Sequence, residues 1–213
     1  MNSLIIEAAG ARCWLQLKID SQHYFYASEP DGRHDQRLMP AVMALLGAHN
    51  LTLANIDTLG VGVGPGSFTG SRVAVASAQG IALGGPVTLK AMDSMALMAL
   101  QAGPGLWQVA LDARLGEVYS GCYQVTDQLE VVSAPGLMSA QALVLAPNAQ
   151  PLGDGWPLVD LAATDVATGA VCIGWQAYLT ELPHCTPETL VPVYLRETVN
   201  WKKRVDQPSP LSK

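Results

Sequence analysis

Charge is scarce in this chain. Only 14% of its 213 residues are Asp, Glu, Lys or Arg, against about a quarter in ordinary soluble domains. Mean hydropathy is positive, +0.22, which excludes a chain dominated by disorder. So little charge also leaves apolar surface for a partner to cover. Basic residues are the minority: 12 Lys and Arg stand against 18 Asp and Glu, a net charge of −6. Unaided nucleic-acid binding draws on a basic face, so any contact with nucleic acid is expected beside a partner. Cysteine is sparse, and Cys13, Cys122, Cys172 and Cys185 include no CxxC pair. Neither a zinc knuckle, a dithiol redox motif nor a disulfide scaffold is signalled. HExxH is also absent. No apolar run approaches the roughly 18 residues of a membrane span. The N-terminal MNSLIIEAAG lacks the basic start of a secretion signal. The expectation is a soluble protein of the reducing cytoplasm without a membrane partner.

The chain opens on a short apolar run, Leu4–Glu7, followed by alternating Trp14–Ile19 and aromatic-rich Tyr24–Ala27. Three short strands joined by tight turns predict an antiparallel meander. Leu38, Ala41, Val42, Leu45 and Leu46 then share one helical face. Asp35 is the expected cap, and Pro40 places the regular start near Leu38. Thr58–Val63 reads as a buried strand, GPGSFTG as a loop, Val73–Leu83 as a second helix and Val87–Ala91 as a fifth strand.

The second half begins as the first does. Laying Leu4–Leu17 on Val109–Cys122 places Glu7 on Asp112. In both, an apolar run meets an acid, then a turn, then an alternating strand, which points to two lobes of related element order. Glu130–Ser133 is a further strand, Ser139–Leu145 a helix, and Thr164–Leu182 a longer helical pattern. The expected divisions are a lobe over 1–102, a smaller lobe over 103–192, and a C-terminal segment, 193–213, that packs back on the first lobe. That segment carries Trp201-Lys202-Lys203-Arg204, which reads as a solvated tail more readily than as an RNA contact.

The glycine-rich stretch Gly60–Gly70 admits two readings. Gly64, Gly66, Ser67 and Thr69 could aim backbone amides at a phosphate from a strand-to-helix turn, with Glu7 and Asp112 as the carboxylates. Alternatively the glycines permit a tight turn and close packing. GxxxxGK[ST], GxGxxG and GxSxG all fail here. On the following helix, Ala76 and Gly80 lie one turn apart, small enough to let another helix approach closely.

The strings GVGPGSFTGSRVAVASAQGIALG, LDARLGEVYSGCYQ, HDQRLMP and PVYLRETVNWKK resemble the TsaB (YeaZ) family, spread over the chain in family order and weakest over 125–185. The resemblance implies an α/β, two-lobed fold of the actin, Hsp70 and hexokinase (ASKHA) class, with an RNase H-like core in each lobe. It implies a non-catalytic subunit required to form N6-threonylcarbamoyladenosine next to the anticodon of ANN-reading tRNAs. Its direct partner would be the catalytic, metal-carrying TsaD, joined by the ATPase TsaE, with TsaC supplying the donor and tRNA reached through the complex. ATP and Mg²⁺ are then expected only in the assembled complex, with no cofactor or metal held by this chain alone. His34 stands where the catalytic relative has a metal-binding pair, but its i+4 neighbour is Leu38. The family's Asp-Thr at the end of the first strand is Glu7-Ala8 here. The expected partner face, also the expected face of a homodimer in isolation, has Leu38, Ala41, Leu45, Val75 and Gln79 at its centre and Arg37 and Arg72 at its rim, with the small Ala76 and Gly80 also in the interface. The competing function is an actin-like ATPase or phosphotransferase. A glycoprotease-like peptidase is more remote.

Overall fold

The computed structural model describes residues 1–163 and 174–196. Residues 164–173 of the expected helix Thr164–Leu182, and the tail from 197 with Trp201, lie outside the described residues.

Two sheets organise the chain. The first contains β1 (Ser3–Glu7), β2 (Trp14–Ile19), β3 (Gln22–Ala27), β4 (Thr58–Gly62) and β5 (Thr88–Met92), in the order β3-β2-β1-β4-β5. The meander is antiparallel, with Glu7 opposite Trp14. β1, β4 and β5 are parallel. The second sheet contains β6 (Gly105–Arg114), β7 (Glu117–Val125), β8 (Leu129–Ser139) and β9 (Gln150–Leu152), in the order β8-β7-β6-β9. Here too the first three strands are antiparallel and the last is parallel to the first. The repeat read from the two acids is therefore a repeat of strand order and direction. This is the two-sheet α/β arrangement of the expected fold class.

Helices α1 (His34–Ala48) and α2 (Phe68–Leu83) cover one face of the first sheet. Their inward side chains join Leu4, Ile6, Leu15, Leu59 and Val61 in one apolar core. Helix α3 (Ser94–Ala102) fills the other face and meets the second sheet through Trp107, Val109 and Leu111. The sequence pattern did not predict α3. Met95 to Leu100 are all buried, and a helix apolar on every side shows no 3.6-residue alternation. Asp93 caps it, accepting from the amides of Met95 at 2.8 Å and Ala96 at 3.3 Å. A fourth helix, α4 (Gly174–Glu181), packs Trp175 and Leu179 into the same layer.

Three expectations are corrected. Helix α1 starts at His34, with Arg33 at its N-cap rather than Asp35. Pro40 is accommodated inside it because that turn is exposed, so the carbonyl left without a donor can meet water. Helix α2 starts at Phe68, five residues before Val73, because the Ser67 hydroxyl accepts from the Gly70 amide at 3.2 Å. Ser139–Leu145 is not a helix. Its first residue ends β8, paired with Glu117, and only a single 3₁₀ turn follows at Ala140–Ala142.

Residues 185–193, almost all of them within the expected second lobe of 103–192, pack instead on the first sheet. The Cys185 amide bonds Leu89 at 3.0 Å, Leu190 is fully buried, and the Val193 amide bonds Val63 at 2.8 Å. Leu190→Ala should therefore destabilise the chain by about 2–3 kcal/mol, the cost of a core cavity, read as a lower urea midpoint at unchanged slope. A loss under about 0.5 kcal/mol would mean that this segment contributes no more than a surface residue does.

Candidate functional site

The carboxylate expected at the end of the first strand is present but sealed. Glu7 is fully buried. Its Oε1 accepts from the Ala9 amide, while Oε2 has no hydrogen-bond partner among the described residues. Ser94 lies beside it and favours the ionised form, but burial outweighs this, and with Asp93 nearby the acid is pushed up to about 7. Asp93 is also raised by burial, despite the Tyr123 hydroxyl donating to it at 2.8 Å.

The glycine-rich turn closes over this acid. A side chain at Gly62 would overlap Glu7 Oε2 and lie 2.9 Å from Ser94 Oγ. One at Gly66 would overlap the Ala9 carbonyl, and one at Gly70 the Ala8 carbonyl. The Gly64 amide donates to Ser94 Oγ at 2.9 Å and the Ser67 amide to the Ala9 carbonyl at 2.6 Å. The Gly64 and Ser67 amides are thus turned inward, and Gly66 and Gly70 serve the close approach of α2 to the β1–β2 turn. Thr69 is exposed on the first turn of α2.

Asp112 stands apart from this cluster on the second sheet. It pairs with Arg114 at 2.9 Å, and its amide donates to Asp154 at 3.0 Å. Gly10, Arg12, Trp14 and Met98 from one side and Leu111 and Asp154 from the other enclose only about 30 Å³. A nucleotide needs several hundred.

His34 is buried, and burial lowers its pKa. Among the described residues no group of three His, Cys, Asp or Glu is placed to hold a metal ion, and no helix is long and apolar enough to cross a membrane.

The second candidate site, the outer face of α1 and α2, is redrawn by the structure. Leu38, Ala41 and Val75 cannot form the centre of an interface, because they are buried in the first core. Leu45 is half-buried against that core. Gln79 turns inward, donating to the carbonyls of Pro187 at 2.8 Å and Leu190 at 3.0 Å. Arg37 is exposed and paired with Asp31 at 2.6 Å. Arg72, Ala76 and Gly80 do face outward.

The structure adds residues that the pattern missed. Phe68 is 59%, Leu83 79% and Met43 51% exposed. Phe68, Arg72, Ala76 and Gly80 recur every fourth residue and form one exposed ridge on α2. A side chain added at Gly47 or Gly80 would meet nothing within 4 Å.

A family model described as TsaD, tRNA N6-adenosine threonylcarbamoyltransferase, matches residues 28–165. The chain is 29% identical to the tRNA threonylcarbamoyladenosine biosynthesis protein TsaB of Escherichia coli, over 95% of this chain and 98% of that one. It is 30% identical to the protein of the same name from Haemophilus influenzae, over 80% of this chain and 83% of the relative. Its fold is similar to a Pseudomonas aeruginosa crystal structure described as similar to peptidase YEAZ, with a TM-score of 0.77 and 25% identity over 92% of this chain and 99% of that one. These relatives match along most of both chains, and the chain belongs to the TsaB (YeaZ) family.

Proposed function

We propose that this chain is a non-catalytic subunit in the formation of N6-threonylcarbamoyladenosine on tRNA, acting in the cytoplasm by docking the outer face of α1 and α2 on a TsaD-type catalytic subunit. The names of its full-length relatives support the pathway. The observation that carries the docking role is the small-residue ridge of α2, where Ala76 and Gly80 stand exposed between Phe68 and Leu83. Such a ridge lets a second helix come within the ~8–10 Å of close helix packing. TsaE and tRNA would then join through the assembled complex, with TsaC upstream and any ATP and Mg²⁺ held there rather than here.

The chemistry of the sealed site favours neither enzyme reading. Glu7 has no path to a substrate, and the Ser67 hydroxyl is used as a helix cap. An ATPase needs charge placed against phosphate, and a peptidase needs an activated nucleophile or metal-bound water.

The test is light scattering and calorimetry with the TsaD-type protein of the same organism, the wild type against Gly80→Trp. The open space at Gly80 means the indole should leave the fold intact and obstruct only a partner. Loss of the complex by at least about 100-fold in affinity is expected from a bulky group at an interface centre. Unchanged affinity would remove this face from consideration. A wild type that forms no complex, even with TsaE, ATP and tRNA present, would overturn the subunit role. The oligomeric state of the chain alone shows whether the same face pairs two copies.

A further inference from the structure

The first turn of α2 carries a construction that the subunit reading does not require. The Arg72 guanidinium lies over the Phe68 ring, 3.4 Å from its centroid. Its Nε donates to the Tyr194 hydroxyl at 2.7 Å. The Tyr194 ring stands 5.8 Å from that of Phe68. Tyr194 is itself held in place, because the Val193 amide bonds Val63 and Arg196 pairs with Glu117 at 2.5 Å on the second sheet.

In a chain of net charge −6, Arg72 has no carboxylate partner among the described residues, whereas Arg37, Arg114 and Arg196 each have one. Only Nε has a hydrogen-bond partner among the described residues. Holding a guanidinium by its Nε and by a ring face leaves the terminal nitrogens as a fixed fork, which matches a carboxylate. Arg72 lies on the same ridge as Ala76 and Gly80, so the fork is open to a carboxylate on whatever docks there.

We propose that Arg72, stacked on Phe68 and fixed by Tyr194, is a preorganised anchor for an Asp or Glu side chain on the catalytic subunit's docking surface. Tyr194 is its positioning residue. The proposal rests on the subunit reading above and adds the partner's chemistry at one end of the face. Arginine and aromatic residues are the usual carriers of binding energy at interfaces, and a side chain already immobilised loses less freedom on docking.

The experiment measures the dissociation constant of the full chain with the TsaD-type protein at about 50 mM and about 300 mM salt, conditions between which screening of a partly exposed pair changes. Arg72→Gln should weaken binding about 10-fold at low salt and flatten its salt dependence, as loss of one charge-assisted pair does. Arg72→Lys should recover charge without the fork and remain several-fold weak. Tyr194→Phe keeps the ring and the charge, so it should weaken binding about threefold with the wild-type salt dependence retained. A merely structural role for Arg72 would not move the salt dependence. If Gly80→Trp abolishes the complex while Arg72→Gln stays within about twofold at both salts, the anchor is overturned and the subunit reading stands. If the wild type forms no complex, both fall together. If Arg72→Gln changes only self-association, the carboxylate belongs to a second copy and the proposal is overturned.

Discussion

Gly70→Ala should cost more than about 4 kcal/mol, enough to prevent a marginally stable chain from folding. Gly62→Ala should cost about 3 kcal/mol. The obstacles differ in kind. At Gly70 the new methyl would overlap the Ala8 carbonyl and lie 2.8 Å from its carbon, with His34 at 3.1 Å. Backbone at the end of a central strand cannot move aside without breaking the pairing around it. At Gly62 the obstacle is the Glu7 carboxyl, with Cδ 2.5 Å away. Shortening Glu7 to alanine removes it. The double variant Gly62→Ala, Glu7→Ala should therefore be more stable than the sum of the single changes by at least about 1 kcal/mol, whereas Glu7→Ala should not rescue Gly70→Ala. Chemical denaturation of the four variants measures both. Simple additivity at the Gly62–Glu7 pair would show that the acid is free to move and that the packing described for it is wrong.

This contrast also shows how much of the molecule was legible beforehand. Helix α1 and the body of α2 have one buried face, so their periodicity announces them, whereas β1 and β4, buried throughout, are legible only as short apolar runs. The repeat was visible because Glu7 and Asp112 end equivalent strands. Helix α3 left no pattern because both sheets surround it. The partner face was misassigned for the same physical reason. The strongest apolar stripe of α1 and α2, which includes Leu38, Ala41 and Val75, is the stripe that faces their own sheet. The outward face carries Ala76, Gly80 and Gly47 among its exposed residues, and such small residues add nothing to an apolar periodicity. Phe68 was hidden inside a string that reads as loop. The pairing of Arg72 with Tyr194 spans 122 positions, and no local pattern reports such a contact.

The stability of this protein should fall as pH rises from about 4.5 to about 7 by up to roughly 3 kcal/mol from Glu7 alone, at 1.36 kcal/mol per unit of pKa. In the unfolded chain this acid ionises near 4.5, and in the folded one it holds its proton until about 7. Between those values the folded state binds more protons, so raising the pH favours unfolding. The contribution is fully present below 4.5 and is lost by the time the pH passes 7. Asp93, raised by burial, acts in the same direction. His34, lowered by burial, acts in the opposite one, because in acid the unfolded chain binds a proton that the buried imidazole does not. Glu7→Gln isolates the effect, since it keeps the shape and cannot ionise. The variant should match the wild type near pH 4.5 and exceed it by roughly 3 kcal/mol near pH 8. A difference that does not change with pH would mean that Glu7 reaches solvent, and the nucleotide reading would return with it. The Glu7 carboxyl lies under Gly62 and beside Ser94. An acid that costs stability when ionised is poorly suited to hold Mg²⁺, which is the chemical reason the proposed role is placed on the outer helices rather than at this acid.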